Sequence, residues 1–66
     1  MKTETDMLLE HFGRYCMWHL PHMESYVTEA QESGDVRTLL AYMEPWSRVD
    51  KVREAAAEIR RLEGIE

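Results

Sequence analysis

Apolar residues recur at spacings of three and four along most of the chain. Leu9, Phe12, Cys16, Leu20, Met23, Val27 and Ala30 form one stripe in the first half. That period puts them on a single face of an α-helix. Val36, Leu39, Leu40 and Met43 resume the stripe, and Val49, Val52, Ala56, Ile59 and Leu62 carry it onward. No run alternates apolar and polar residues long enough to make a half-buried strand, and β-branched residues are few. The pattern predicts an all-α protein.

Local signals mark the helix ends. Thr3 with Asp6 reads as a capping pair, with the Thr3 hydroxyl accepting from the free N–H groups of the first turn. Glu32-Ser33-Gly34-Asp35 is a break: Gly34 suits the left-handed end of one helix and Asp35 the cap of the next. Ser47-Arg48-Val49-Asp50 has the form of a second capping box. Ala55-Ala56-Ala57 favours helix strongly. Arg60 and Arg61 oppose the negative end of the helix dipole. Gly64 supplies a stop that lets Ile65 fold back towards Ile59.

Two prolines interrupt this scheme. Pro21 lies 13 residues before Gly34 and Pro45 lies 11 after it. With Gly34 as the tip of a hairpin, both fall about 17 to 20 Å from the tip at the helical rise. The sequence therefore predicts an antiparallel helical hairpin, broken or kinked at the same level in both arms. It has either two long helices or three to four short ones. The unbroken stripe through Leu20 and Met23 favours a kink at Pro21, and the Ser47 box favours a break at Pro45. Arm one covers about residues 4–33, arm two about 35–63, and residues 1–66 make one small domain.

Length limits what such a hairpin can do alone. A chain of 66 residues buries only about 60% of its unfolded surface. One Cys leaves no internal disulfide to staple it. A hairpin with a single interface is completed naturally by a second copy, so a homodimer is expected.

Charge narrows the partners. The net charge is -5, and residues 1–34 hold -4 of it, from six acidic and two basic side chains. Binding to nucleic-acid phosphates needs clustered Lys and Arg. Arg48, Lys51, Arg53, Arg60 and Arg61 are interleaved with Asp50, Glu54, Glu58 and Glu63, so direct nucleic-acid binding is not expected. Asp50–Arg53, Glu58–Arg61 and Arg60–Glu63 read as local surface pairs. The first residues lack the basic and apolar regions of a signal peptide. The longest uncharged stretch, Tyr15 to Met23, is nine residues, so no membrane span is expected. A lone thiol suits a reducing cytoplasm.

Four groups of residues could carry chemistry. His11, Cys16, His19 and His22 fall within twelve residues and are types that bind transition metals. Cys16 also sits on the apolar stripe, where a small thiol is an ordinary core residue, and no CxxC or HExxH accompanies it. Neither a metal nor a cofactor is assigned. Nucleophilic catalysis by Cys16 would need an electropositive pocket, and the first half is anionic, so no catalytic residue and no enzyme activity are assigned.

The third group is aromatic. Arg14, Tyr15, Trp18 and His22 lie off the core stripe, and Arg14, one turn before Trp18, can lie over its ring in a cation–π contact. Tyr42 and Trp46 are four apart in the second half. Trp, Tyr, Met and Arg are enriched in interface centres. Met7, Met17, Met23 and Met43 add adaptable apolar surface. The leading expectation is a non-enzymatic protein–protein interaction module, a small regulator or adaptor that docks through Arg14, Tyr15, Trp18, His22, Tyr42 and Trp46.

The fourth group is acidic. Glu4, Asp6, Glu10, Glu24, Glu29 and Glu32 could occupy a basic nucleic-acid-binding surface of a host protein, as an inhibitor from a phage or other mobile element would. A metal-binding hairpin is the remaining alternative.

Overall fold

The computed structural model describes residues 2–65; Met1 and Glu66, the two ends of the expected domain, lie outside the described residues. Four helices follow one another: α1 (Glu4–His19), α2 (Pro21–Ser33), α3 (Val36–Met43) and α4 (Asp50–Glu63). A 3₁₀ turn, Glu44–Trp46, links α3 to the segment before α4. The described residues contain no strand.

The caps at Thr3, Gly34, Asp35 and Gly64 are those the sequence specifies. The Thr3 hydroxyl accepts from the Asp6 N–H and the Asp6 carboxylate accepts from the Thr3 N–H, a complete capping box. Gly34 (φ 78°) and Gly64 (φ 70°) take the left-handed conformation, and their N–H groups close the ends of α2 and α4. Asp35 accepts from the Thr38 N–H and from the Thr38 hydroxyl at the start of α3.

The arms run antiparallel about Gly34 along their whole length. The Tyr26 ring stacks on Tyr42, and His22 lies against Trp46. Farther out, Lys51 sits over the Tyr15 ring, and the Thr5 hydroxyl donates to Glu63. Each of these pairs is centred within a residue of Gly34, as a hairpin requires. The hairpin is then folded across its middle. Gly13 faces Val27 and Cys16 lies near Glu24, so α1 and α2 form an antiparallel pair about Leu20. Packing closes in the order α1–α2, α2–α3, α3–α4 and α4 back on α1.

The kink favoured at Pro21 is therefore a full break. Proline lacks an N–H and disfavours the helical region for the residue before it. Leu20 accordingly leaves the helix at φ -138° and ψ 68°. Its N–H closes α1 on the Cys16 carbonyl at 2.7 Å, and its carbonyl receives the Met23 N–H of α2 at 2.9 Å. Pro21 opens α2, where a missing N–H costs nothing. The stripe stayed in phase through the break, so its two halves face each other across a hairpin.

The break at Pro45 is present, but Ser47 does not cap α4. The 3₁₀ turn holds Ser47 in helical backbone (φ -62°, ψ -16°), and Val49, directly before α4, is extended (φ -83°, ψ 117°). A side-chain cap needs its residue extended, and Val49 has no oxygen to offer. Asp50 in the first turn complements the dipole instead, pairing with Arg53 at 2.7 Å. Arg61 pairs with Glu58 as expected, at 2.6 Å. Arg60 does not pair with Glu63: it reaches Glu44 of the 3₁₀ turn at 3.8 Å, and Glu63 accepts from Thr5 at 2.5 Å.

The core draws on all four helices. Leu9, Phe12 and Cys16 of α1 meet Met23, Val27 and Ala30 of α2, Val36, Leu39, Leu40 and Met43 of α3, and Val52, Ala55, Ala56 and Ile59 of α4. Leu8, Tyr15, Leu20, Tyr26, Trp46, Val49 and Ile65 pack against it half-buried. The radius of gyration is 10.6 Å, against about 11 Å for a compact chain of this length. Folding the hairpin over thus supplies within one chain the second layer that a straight hairpin would seek from a partner.

Candidate interaction surface

The six aromatic-face residues do not form one surface. They divide into a clasp and an exposed patch. His22 and Trp46 lie with ring centroids 5.5 Å apart, and Tyr26 and Tyr42 at 3.9 Å with planes inclined by 16°. His22 and Tyr26 are one turn apart on α2, and Tyr42 and Trp46 lie across from them. These two rungs join the arms near the outer edge of the core. Offset-stacked aromatic pairs add about 0.5–1.5 kcal/mol beyond their burial. Tyr42 and Trp46 thus serve packing first: Trp46 is partnered by His22, and Tyr42 by Tyr26, which is absent from the sequence-based set. Its equal spacing from Gly34 is the signal that would have found it.

Tyr15 also packs inward. Its ring lies 4.6 Å from His19 and 6.2 Å from Phe12, and the Lys51 ammonium sits 5.9 Å above it. This cation–π contact joins α1 to α4. The expected Arg14–Trp18 contact is replaced: Arg14 turns to Glu10 at 3.2 Å. Lys2 reaches the other oxygen of Glu10. The two cations hold the Glu10 carboxyl below its ordinary range, mainly through the Lys2 hydrogen bond.

The exposed patch is the outer face of α1. Trp18 is 81% exposed, Met17 56% and Met7 53%. Arg14 and His11 are exposed between them. At about 100° per residue, Met7, His11, Arg14 and Trp18 lie opposite Leu9, Phe12 and Cys16. Helix α1 therefore exposes Met7, Met17 and Trp18, interspersed with His11 and Arg14, away from its buried side. Met23 and Met43 do not belong to this surface: both are core residues, 1% exposed, because their positions fall on the buried stripe.

The potential metal ligands are separated. Cys16 is fully buried, whereas His11, His19 and His22 are exposed. Among the described residues no group of three His, Cys, Asp or Glu is placed to hold a metal ion. Burial, with help from the charge of Glu24, raises the Cys16 thiol from its ordinary 9.0 to about 11. Such a thiol packs well and reacts poorly.

The acidic set is dispersed as well. Asp6 accepts in the α1 cap, Glu10 is matched by Lys2 and Arg14, and Glu24 is half-buried near Cys16. Glu4, Glu29 and Glu32 are exposed. Next to the exposed patch of α1, and sharing His11 with it, an open groove of about 520 Å³ runs between α1 and α4 over Leu8, Phe12 and Ala55. Lys51, Glu54, Glu58 and Arg61 edge it with two charges of each sign. No helix among the described residues is long and apolar enough to cross a membrane.

No protein-family model, curated protein or solved structure matches this chain.

Proposed function

We propose that this chain is a non-enzymatic protein–protein interaction module, a small cytoplasmic regulator or adaptor, and that it docks through the outer face of α1. The observation that carries the reading is Trp18, 81% exposed on a helix that also exposes Met17 and Met7 and whose opposite side is already packed. A solvated surface gains nothing from a Trp there, whereas interface centres are enriched in Trp, Met and Arg. The remaining aromatics support the face indirectly by clasping the hairpin that presents it. The lone thiol is the support for the cytoplasmic assignment.

The test is affinity capture with the full chain at low and high salt, comparing wild type with Trp18→Ala and Met17→Asp. Partners that wild type retains at both salt concentrations and that either variant loses support the face. Partners that both variants retain remove it. The acidic-inhibitor alternative rests on the net charge of -5 and on exposed Glu4, Glu29 and Glu32. It predicts capture that collapses with added salt, because a charge-driven complex is screened.

A further inference from the structure

The outer face of α1 is self-complementary. Met7, Glu10, Arg14 and Met17 are spaced by three, four and three residues. That is the a, d, a, d spacing of two coiled-coil heptads, here turned to solvent. The order is apolar, acidic, basic, apolar. Reversed about Phe12, position 7 falls on 17 and position 10 on 14. Each apolar residue then meets an apolar residue, and each charge meets its opposite.

We propose that this face binds a second copy of the chain, with the two α1 helices antiparallel about a two-fold axis near Phe12. The inference rests on α1 being the docking face and names its occupant. In the pair, Met7 packs on the partner subunit's Met17, and Arg14 meets the partner subunit's Glu10. The two-fold repeats both contacts, as an isologous interface requires. The Arg14–Glu10 pair within each α1, at 3.2 Å, exchanges for one between copies, two for two, so the charges set register and orientation without adding pairs. Trp18 flanks the seam and covers its end. The other helices compete poorly. Their exposed residues are mainly charged or polar, and the exposed large apolar residue outside α1, Tyr42, is stacked on Tyr26. A seam one helix wide is at the small end of specific interfaces, so the association is weak.

Sedimentation of the full chain tests this through charge reversal, with circular dichroism confirming that each variant keeps its helices. Wild type should rise from 7.8 kDa towards twice that mass as concentration goes from about 10 µM to about 1 mM. Glu10→Arg sets Arg against Arg across the seam, and Arg14→Glu sets Glu against Glu, so each variant alone should stay monomeric. An equimolar mixture of the two restores opposite charges at every position and should dimerise. Three results overturn the proposal: wild type monomeric throughout, either variant associating as well as wild type, or a mixture that stays monomeric. If wild type stays monomeric while Trp18→Ala still abolishes capture of a different protein, the second-copy inference falls and the docking face stands.

Discussion

Tyr26 and Tyr42 stack with their ring centroids 3.9 Å apart, each eight residues from Gly34. His22 and Trp46 repeat the arrangement at twelve residues from the same glycine. The left-handed turn at Gly34 thus sets the register that brings both rungs together. A rung holds two helices only if both rings are present. In a double-mutant cycle, Tyr26→Ala and Tyr42→Ala should therefore couple by about 0.5–1.5 kcal/mol. Denaturant unfolding of the two single variants and the double would measure it. Additive losses would mean the rings merely touch.

Gly13 stands in the middle of α1, where glycine weakens a helix. A Cβ built on it would meet Val27 Cγ1 at 3.4 Å, an ordinary contact. Gly13→Ala should therefore stabilise the fold by up to about 1 kcal/mol through helix propensity. Gly13→Leu should destabilise it, because the larger side chain must displace Val27 and spread α1 from α2. Thermal melts of both variants distinguish this from a glycine needed for backbone freedom, where both changes would harm.

The stripe from Leu9 to Ala30 and the caps at Thr3, Gly34, Asp35 and Gly64 were legible because each is a local relationship. The fold-back at Pro21 was not. A helical period records which residues share a face, and Leu20 and Met23 keep that phase whether the helix bends or reverses. Ser47 misled for a related reason: its spacing to Asp50 fits a cap, but the preceding 3₁₀ turn sets its backbone. For the surface, Trp18 and Trp46 look alike as residue types. What separates them is the hairpin register that places His22 beside Trp46, a relationship between positions 24 apart.

Caps give a direct comparison of those two outcomes. Thr3→Ala removes a formed capping box and should cost about 1 kcal/mol. Ser47→Ala removes no side-chain cap and should stay within about 0.5 kcal/mol of wild type. Asp35 adds an acid limb. Its carboxyl titrates below the ordinary range, chiefly because the Thr38 hydroxyl donates to it. A depressed carboxyl stabilises the fold above its unfolded pKa, and that contribution is lost as pH falls through the folded value. Melting temperature should therefore fall on acidification, and less so in Asp35→Asn.

The buried thiol gives the opposite limb. Cys16 is raised from 9.0 to about 11, so between those values the unfolded chain ionises it and the folded chain does not. The raised pKa contributes stability below pH 9.0 that is lost as pH rises through about 11. At about 1.4 kcal/mol per unit, the loss is on the order of 2–3 kcal/mol. Cys16→Ala should flatten this limb. Native protein should also resist a thiol reagent at neutral pH and react once unfolded. Fast labelling of native protein would contradict the burial of Cys16.

The two tryptophans should separate stability from binding. Trp18 is 81% exposed, and truncating it removes little packing from this chain. Trp18→Ala should leave unfolding free energy within about 0.5 kcal/mol of wild type while weakening association through α1, whose seam it flanks. Trp46 is half-buried against the core and lies on His22. Trp46→Ala should cost about 1–3 kcal/mol, below the range of a fully buried Trp. At temperatures where the variant is still folded, its association should be unchanged, because α1 is still presented. Parallel denaturant melts and sedimentation measure both quantities. If Trp18→Ala destabilises the chain as much as Trp46→Ala, the outer face of α1 is part of the packing and cannot serve as the docking surface.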